Sequence, residues 1–363
     1  MSPLWSLGFR PFFLIAAAFG VISIAIWVAF LYLVLPVSVF LNPITWHSHE
    51  MIYGLVTAII AGFILTAIQN WTGKRGVFGF KLKIIVALWL LARVLILSGP
   101  AQKEIAAFLD LSFFPLLAVY LFPYLKDSDM KIERVFFLYF LLFFTGNILV
   151  HFDSLKILEG YSRKGILLGL NTSLIVLVFM GGRVIPFFTE SSVAKVQPKI
   201  WPAIELLSHI SVWLFLVTQF FSEYSVLSAV VAFFGAAVHG VRLYGWYAPR
   251  IHRVAIIWIL HVGYLWIVLG FLLSGFSALG LVAQSIAIHA FTVGALGAIM
   301  YGMITRLTLG HTGRLLKPSS FTIAGYGLLT LAAIVRVFLP LLLPAFYKAA
   351  ILASAALWVA SFL

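Results

Sequence analysis

Residues 44–74 read ITWHSHEMIYGLVTAIIAGFILTAIQNWTGK. Two histidines and a glutamate, His47, His49 and Glu50, stand at the mouth of a long apolar run that closes on Thr72 and Gly73. The run is long enough to cross a hydrocarbon core of about 30 Å as one α-helix. Ionisable groups are costly there, by roughly 3 kcal/mol for an Asp, Lys or Arg on insertion scales. The three side chains therefore call for a role that offsets the cost.

The rest of the chain has the same character. Of 363 residues, 63% are hydrophobic and 10% charged, and the mean hydropathy is +1.12. Such a composition excludes a soluble globular domain. The first apolar run begins near Arg10 with no small-residue cleavage site after it, so a retained helix is expected rather than a signal peptide. The chain has no cysteine, which excludes disulfides, iron–sulfur clusters and thiolate-ligated haem and leaves nitrogen and oxygen donors for a metal. A net charge of +13 is read as basic loops on a cytoplasmic face, not as a nucleic-acid surface.

Apolar segments fall at 10–35, 46–70, 81–98, 103–125, 133–151 and 164–188, then at 200–222, 224–245, 253–274, 279–304, 320–342 and 345–363. They predict an all-α polytopic membrane protein, one transmembrane helical domain over 1–363 with twelve spans and no separate soluble domain. Pro186 is expected to break the sixth span near its inner end. Acids within the spans look scarce. Lys and Arg concentrate in alternate loops, including Lys74, Arg75, Lys81, Lys83, Arg250, Arg253 and Arg314. By the positive-inside rule both termini are expected in the cytoplasm, in a bacterial inner membrane, with His47 and His49 at the outer end of the second helix.

Residues 49–74 align without gaps on residues 289–314, HAFTVGALGAIMYGMITRLTLGHTGR, with eight of 26 positions identical. The identities include the leading histidine, Gly54 with Gly294, Gly62 with Gly302, and the closing Thr-Gly. They suggest two related helices, with helices 1–4 and 9–12 as the extent of a possible repeat. The small residues would let backbones or a flat cofactor approach closely.

Seven of the nine histidines lie in or at the ends of predicted spans. One intramembrane histidine alone would be read as an interhelical hydrogen bond worth about 1 kcal/mol. Seven together point to metal or haem ligands. His47 and His49 project about 200° apart on a helix and so take different jobs, with Glu50 as acceptor for an imidazole N–H. The repeat makes His49 and His289 the haem ligands expected on facing helices. His47, followed by His261 and His151, is expected at a copper site. His239 lies one turn before Arg242 near a membrane surface, and His239, His151 and His261 each also admit a packing or interface role. His209 reads as structural, and His252 and His311 as surface residues. Arg183, beside Gly181 and Gly182, is a candidate partner for haem propionates; Arg93 and Arg336 read as snorkelling cations.

A set of motifs running in order through the chain carries a family resemblance: LGFRPFF at 7–13, WHSHEM at 46–51, NWTGKR at 70–75 and GGRVIPFFT at 181–189, then HVGYLW at 261–266, HAFTVGALG at 289–297 and RLTLGHTGR at 306–314. With these the sequence resembles the NnrS family of bacterial inner-membrane proteins. That resemblance implies haem and copper as cofactors and a part in the response to nitric oxide. A histidine pair on the second and tenth of twelve helices also resembles, in architecture, the haem–copper oxidase core. The sixth predicted helix has no histidine, so the full ligand set of such a core is not reproduced.

Two function classes follow. The first is a haem b and copper protein acting on nitric oxide, an apolar gas that reaches a buried site through lipid. Its chemistry would be reductase-like, giving N₂O, or detoxifying, with Glu50 and Tyr264 as proton carriers. A quinol or other electron donor would be its partner. The alternatives are a secondary transporter, which a twelve-span repeat also suits, and a haem-bearing, quinol-linked electron-transfer subunit.

Overall fold

The computed structural model describes residues 2–32, 40–126, 133–221 and 225–363. The predicted span ends at 33–35, 222 and 224 lie outside them. Among the described residues the fold is all-helical, and eleven helices are long and apolar enough to cross a membrane. The chain is a multi-pass membrane protein. It divides into two compact units, residues 1–172 and 173–363.

The first unit contains α1 (Phe9–Tyr32), α2 (Pro43–Thr72), α3 (Gly79–Leu97), the short α4 (Lys103–Leu111) and α5 (Phe113–Leu125), and α6 (Val135–Ser154). The unit boundary falls inside α7 (Ser162–Ser192). The second unit continues with α8 (Pro202–Phe221), α9 (Val226–Trp246), α10 (Ala255–Ala278), α11 (Gln284–His311), α12 (Ser320–Leu342) and α13 (Tyr347–Phe362).

Two expected spans take finer form, and one expectation needs correction. The third predicted span is present as α3, but its nineteen residues include Lys81, Lys83 and Arg93, so eleven rather than twelve helices qualify by length and apolarity. The fourth is one span, Pro100–Leu125, with a turn at Ser112 between α4 and α5 across which the helical hydrogen bonds continue. Pro186 does not end its helix. Although it lacks an N–H to donate, α7 runs past it to Ser192.

The repeated helices α2 and α11 share a backbone irregularity that periodicity does not reveal. Each is π-helical for seven residues, Glu50–Val56 in α2 and Ala290–Leu296 in α11. These stretches occupy identical positions in the gapless alignment, and each begins on the residue after the aligned histidine. The closing Thr-Gly has a physical reason too. Thr72 Oγ1 donates to the Ile68 carbonyl and Thr312 Oγ1 to the Thr308 carbonyl, at 2.7 Å in both. Gly73 and Gly313 then take φ of +66° and +70°, the left-handed turn that ends a helix and favours glycine.

The glycine stripes are filled by aromatic and aliphatic side chains of the preceding helix. A Cβ on Gly54 would sit 2.7 Å from Phe19, and one on Gly62 would sit 2.8 Å from Phe12, both on α1. In the second unit, Cβ atoms on Gly294 and Gly302 would meet Trp266 at 2.5 Å and Ile259 at 2.9 Å, both on α10. The two copies thus use the same close approach, α1 on α2 and α10 on α11.

Candidate functional site

Helix α2 begins at Asn42, whose side-chain oxygen accepts the N–H of Thr45 at 3.0 Å, with Pro43 in the first turn. Two turns further on, at the entry to the π segment, His49 and Glu50 are fully buried. His49 Nδ1 lies 2.9 Å from Glu50 Oε1. His49 Nε2 lies 2.8 Å from Asn147 Oδ1 on α6 and 3.1 Å from Asp110 Oδ2 on α4. Asn147 Nδ2 donates to Asp110 Oδ2 at 2.8 Å, which fixes the amide so that its oxygen faces the imidazole. Both nitrogens of His49 are therefore enclosed by oxygen acceptors. A neutral imidazole has one N–H, so it cannot satisfy this shell. One further proton, on the ring or on a carboxyl group, or a metal cation completes it.

Arg93 of α3 bridges the two carboxylates. Its Nη1 donates to Glu50 Oε1 at 3.1 Å and its Nη2 pairs with Asp110 Oδ1. His151, one turn beyond Asn147, places Nε2 2.8 Å from Asp110 Oδ2. Its buried Nδ1 has no hydrogen-bond partner among the described residues. Ligand atoms of His49, Asp110 and His151 all lie within 4.8 Å of one another, and all three residues are buried. With neutral histidines the cluster holds one cation, Arg93, against two carboxylates. One excess negative charge in an apolar interior is strongly unfavourable. Charge and hydrogen bonding thus ask for the same thing, one further positive charge in the cluster, and His49, Asp110 and His151 could hold it as a metal ion.

Tyr53 walls the cluster. Its ring centroid is 5.2 Å from that of His49, and its hydroxyl donates to the Gly165 carbonyl at 2.6 Å. His47 turns away and stacks on Trp27 at 4.4 Å between ring centroids.

The second unit holds another buried polar cluster. Arg242 of α9 pairs with both oxygens of Glu205 on α8, through Nε at 2.8 Å and through Nη2. Its Nη1 donates to the Val178 carbonyl of α7 at 3.1 Å and to the Tyr264 hydroxyl of α10 at 2.9 Å. His239 Nδ1 lies 2.7 Å from that hydroxyl, and its Nε2 3.2 Å from Ser211 Oγ. His261, one turn before Tyr264, has Nδ1 3.1 Å from the Ile257 carbonyl and Nε2 3.4 Å from that of Trp246. His289 Nδ1 lies 2.6 Å from the Ser285 carbonyl. A carbonyl only accepts, so Nδ1 carries a proton. Arg183 lies on the exposed face of α7 over the Phe179 ring, at 5.2 Å.

Of the residues singled out in the sequence, His49, Glu50 and His151 come together in the first unit, and Tyr264 and His239 in the second. Glu50 and Tyr264 belong to different clusters. Asp110, Asn147 and the bridging role of Arg93 escape sequence reading. Asp110 was legible as an acid inside the predicted 103–125 span, and an intramembrane acid is a functional candidate by default. The scarcity of such acids is corrected by Asp110 and by Glu205, each inside a helix. No curated protein matches the chain. The family model described as NnrS protein matches residues 3–363. With that match over nearly its whole length, joined to the helical membrane fold and the buried histidine–carboxylate cluster, the chain belongs to the NnrS family.

Proposed function

We propose that the protein is a metal-dependent inner-membrane protein acting on nitric oxide, with a copper ion held by His49, Asp110 and His151. The observation that carries this reading is the buried triad of His49, Asp110 and His151, whose ligand atoms converge beside the acceptor shell of His49. The donor set fits. Neighbouring donors 2.8–3.1 Å apart have the spacing of adjacent ligands around an ion at about 2.0–2.1 Å. Imidazole and carboxylate suit copper. Copper(I), a monocation, also cancels the single excess negative charge. The third donor being a carboxylate favours a second reading, iron(II), because two histidines and one carboxylate are a recurring mononuclear iron set. Metal analysis separates the two.

A b-type haem fits His289 better than His49. The Ser285 carbonyl accepts from Nδ1 of His289 and orients the ring that would hold the haem iron, while both nitrogens of His49 are committed within its own cluster. When bound, these groups supply nitric oxide binding and one-electron exchange. The protein side chains do the rest. Glu50 orients His49, Arg93 holds Glu50 and Asp110 in place, and the apolar walls exclude water. Reduction of two NO to N₂O and water takes two electrons, for which a quinol-class donor is proposed, and two protons. Both termini are proposed to be cytoplasmic, from the distribution of Lys and Arg.

The test is N₂O formation by reduced, purified protein under nitric oxide. The reading expects N₂O from the wild type and its loss in His151→Ala. Absence of N₂O and of NO consumption by fully metal-loaded wild type would contradict turnover.

A further inference from the structure

The hydrogens of the second-unit cluster can be assigned one by one. Arg242 Nη1 is a donor only, so the Tyr264 oxygen accepts from it at 2.9 Å. The phenol hydrogen then points to His239 Nδ1, 2.7 Å away, and Nδ1 is the acceptor nitrogen. The proton of the neutral ring must sit on Nε2, which faces Ser211 Oγ at 3.2 Å. Ser211 passes its own hydrogen to the Ser208 carbonyl at 2.9 Å. Tyr264 and His239 are fully buried.

We propose that Tyr264 is a redox-active tyrosine with His239 as its proton acceptor. The phenol O–H bond breaks, its proton forms an N–H bond at His239 Nδ1, and one electron leaves for a one-electron oxidant of the high-potential metal-complex class. The products are a neutral phenoxyl radical, an imidazolium and the oxidant reduced by one electron; re-reduction returns the proton. The proposal stands apart from the metal reading of the first unit.

Three features suit the pair to this step. Removing an electron alone would leave a phenol radical cation in an apolar interior, a strongly unfavourable species, and the existing hydrogen bond avoids it. The imidazolium so formed already has an oxygen opposite each N–H, Tyr264 on one side and Ser211 on the other, so no group has to reorient. Glu205 neutralises Arg242, so the new positive charge on His239 does not face a lone cation. Trp246, with its ring centroid 4.7 Å from that of Tyr264, offers an aromatic route for the electron.

The test uses full-length detergent-purified protein, oxidised with hexachloroiridate(IV) and frozen for electron paramagnetic resonance. The expected result is a neutral tyrosyl signal that persists in Tyr301→Phe and Tyr326→Phe and falls to background in Tyr264→Phe. In His239→Ala the signal should also be lost, and added imidazole should restore it. A merely structural histidine would show no such rescue. If Tyr264→Phe does not fold, the wild type grown on heavy-nitrogen histidine still decides, because the radical should couple to a histidine nitrogen. A radical of equal yield in Tyr264→Phe, no tyrosyl radical in the wild type, or no histidine coupling would overturn the proposal.

Discussion

His49 and His289 hold the same place in two related helices, each the last residue before a seven-residue π-helical segment. Wide turns of this kind are rare and are concentrated at functional sites. The residues that follow have diverged. Glu50 succeeds His49 and binds it, whereas Ala290 succeeds His289, whose ring bonds instead to the Ser285 carbonyl. One histidine sits in an ionic shell, and the other is held by a backbone carbonyl. The two histidines are accordingly expected to lose different things when removed. His289→Ala should lose the haem spectrum and keep the first-unit metal, and His49→Ala the reverse, as read by absorption spectra and metal content of both variants.

Arg93 pairs with both Glu50 and Asp110. Arg93→Met leaves two buried carboxylates without it and should cost about 3–5 kcal/mol. Adding Glu50→Gln should recover part of that loss, a coupling of at least about 1 kcal/mol. Thermal unfolding of the two single variants and the double variant measures it. Additive losses would mean that the bridge contributes nothing.

The glycine stripes make a matched set of predictions. Gly54→Ala and Gly294→Ala force a methyl group against Phe19 and Trp266 and should each cost about 1–3 kcal/mol. Gly327→Ala on α12 meets nothing within 4 Å and should be neutral or mildly stabilising. Melting temperatures of the three variants suffice.

Gly73→Ala and Gly313→Ala place a side chain at positive φ, at a cost of roughly 1–2 kcal/mol. The Asn variants should be milder, because asparagine tolerates that conformation better. Equal melting of the Ala and Asn variants would argue against a backbone cause.

These contrasts mark what the sequence could disclose. Helix α2 was legible in its apolar run and its Thr-Gly stop, while its Asn42-Pro43 start is a local signal that the predicted bound at 46 passed over. The register of the repeat was legible from that same run and stop. The π segments were not, since no residue pattern separates them from an ordinary helix here. Asp110 and Asn147 meet His49 from α4 and α6, Arg93 meets Glu50 and Asp110 from α3, and such convergence is set by packing rather than by spacing. The turn at Ser112 between α4 and α5 was hidden inside one continuous apolar stretch. The opposed directions of His47 and His49 followed from helix geometry, and the structure sends one to Trp27 and the other to Asp110.

The central claim is a metal ion between His49, Asp110 and His151, and metal analysis of detergent-purified protein tests it most directly. The account predicts one copper per chain beyond any haem iron, lost in His151→Ala and in Asp110→Asn while both variants remain folded. Wild-type protein that is folded, carries its haem, and holds neither copper nor non-haem iron would contradict it.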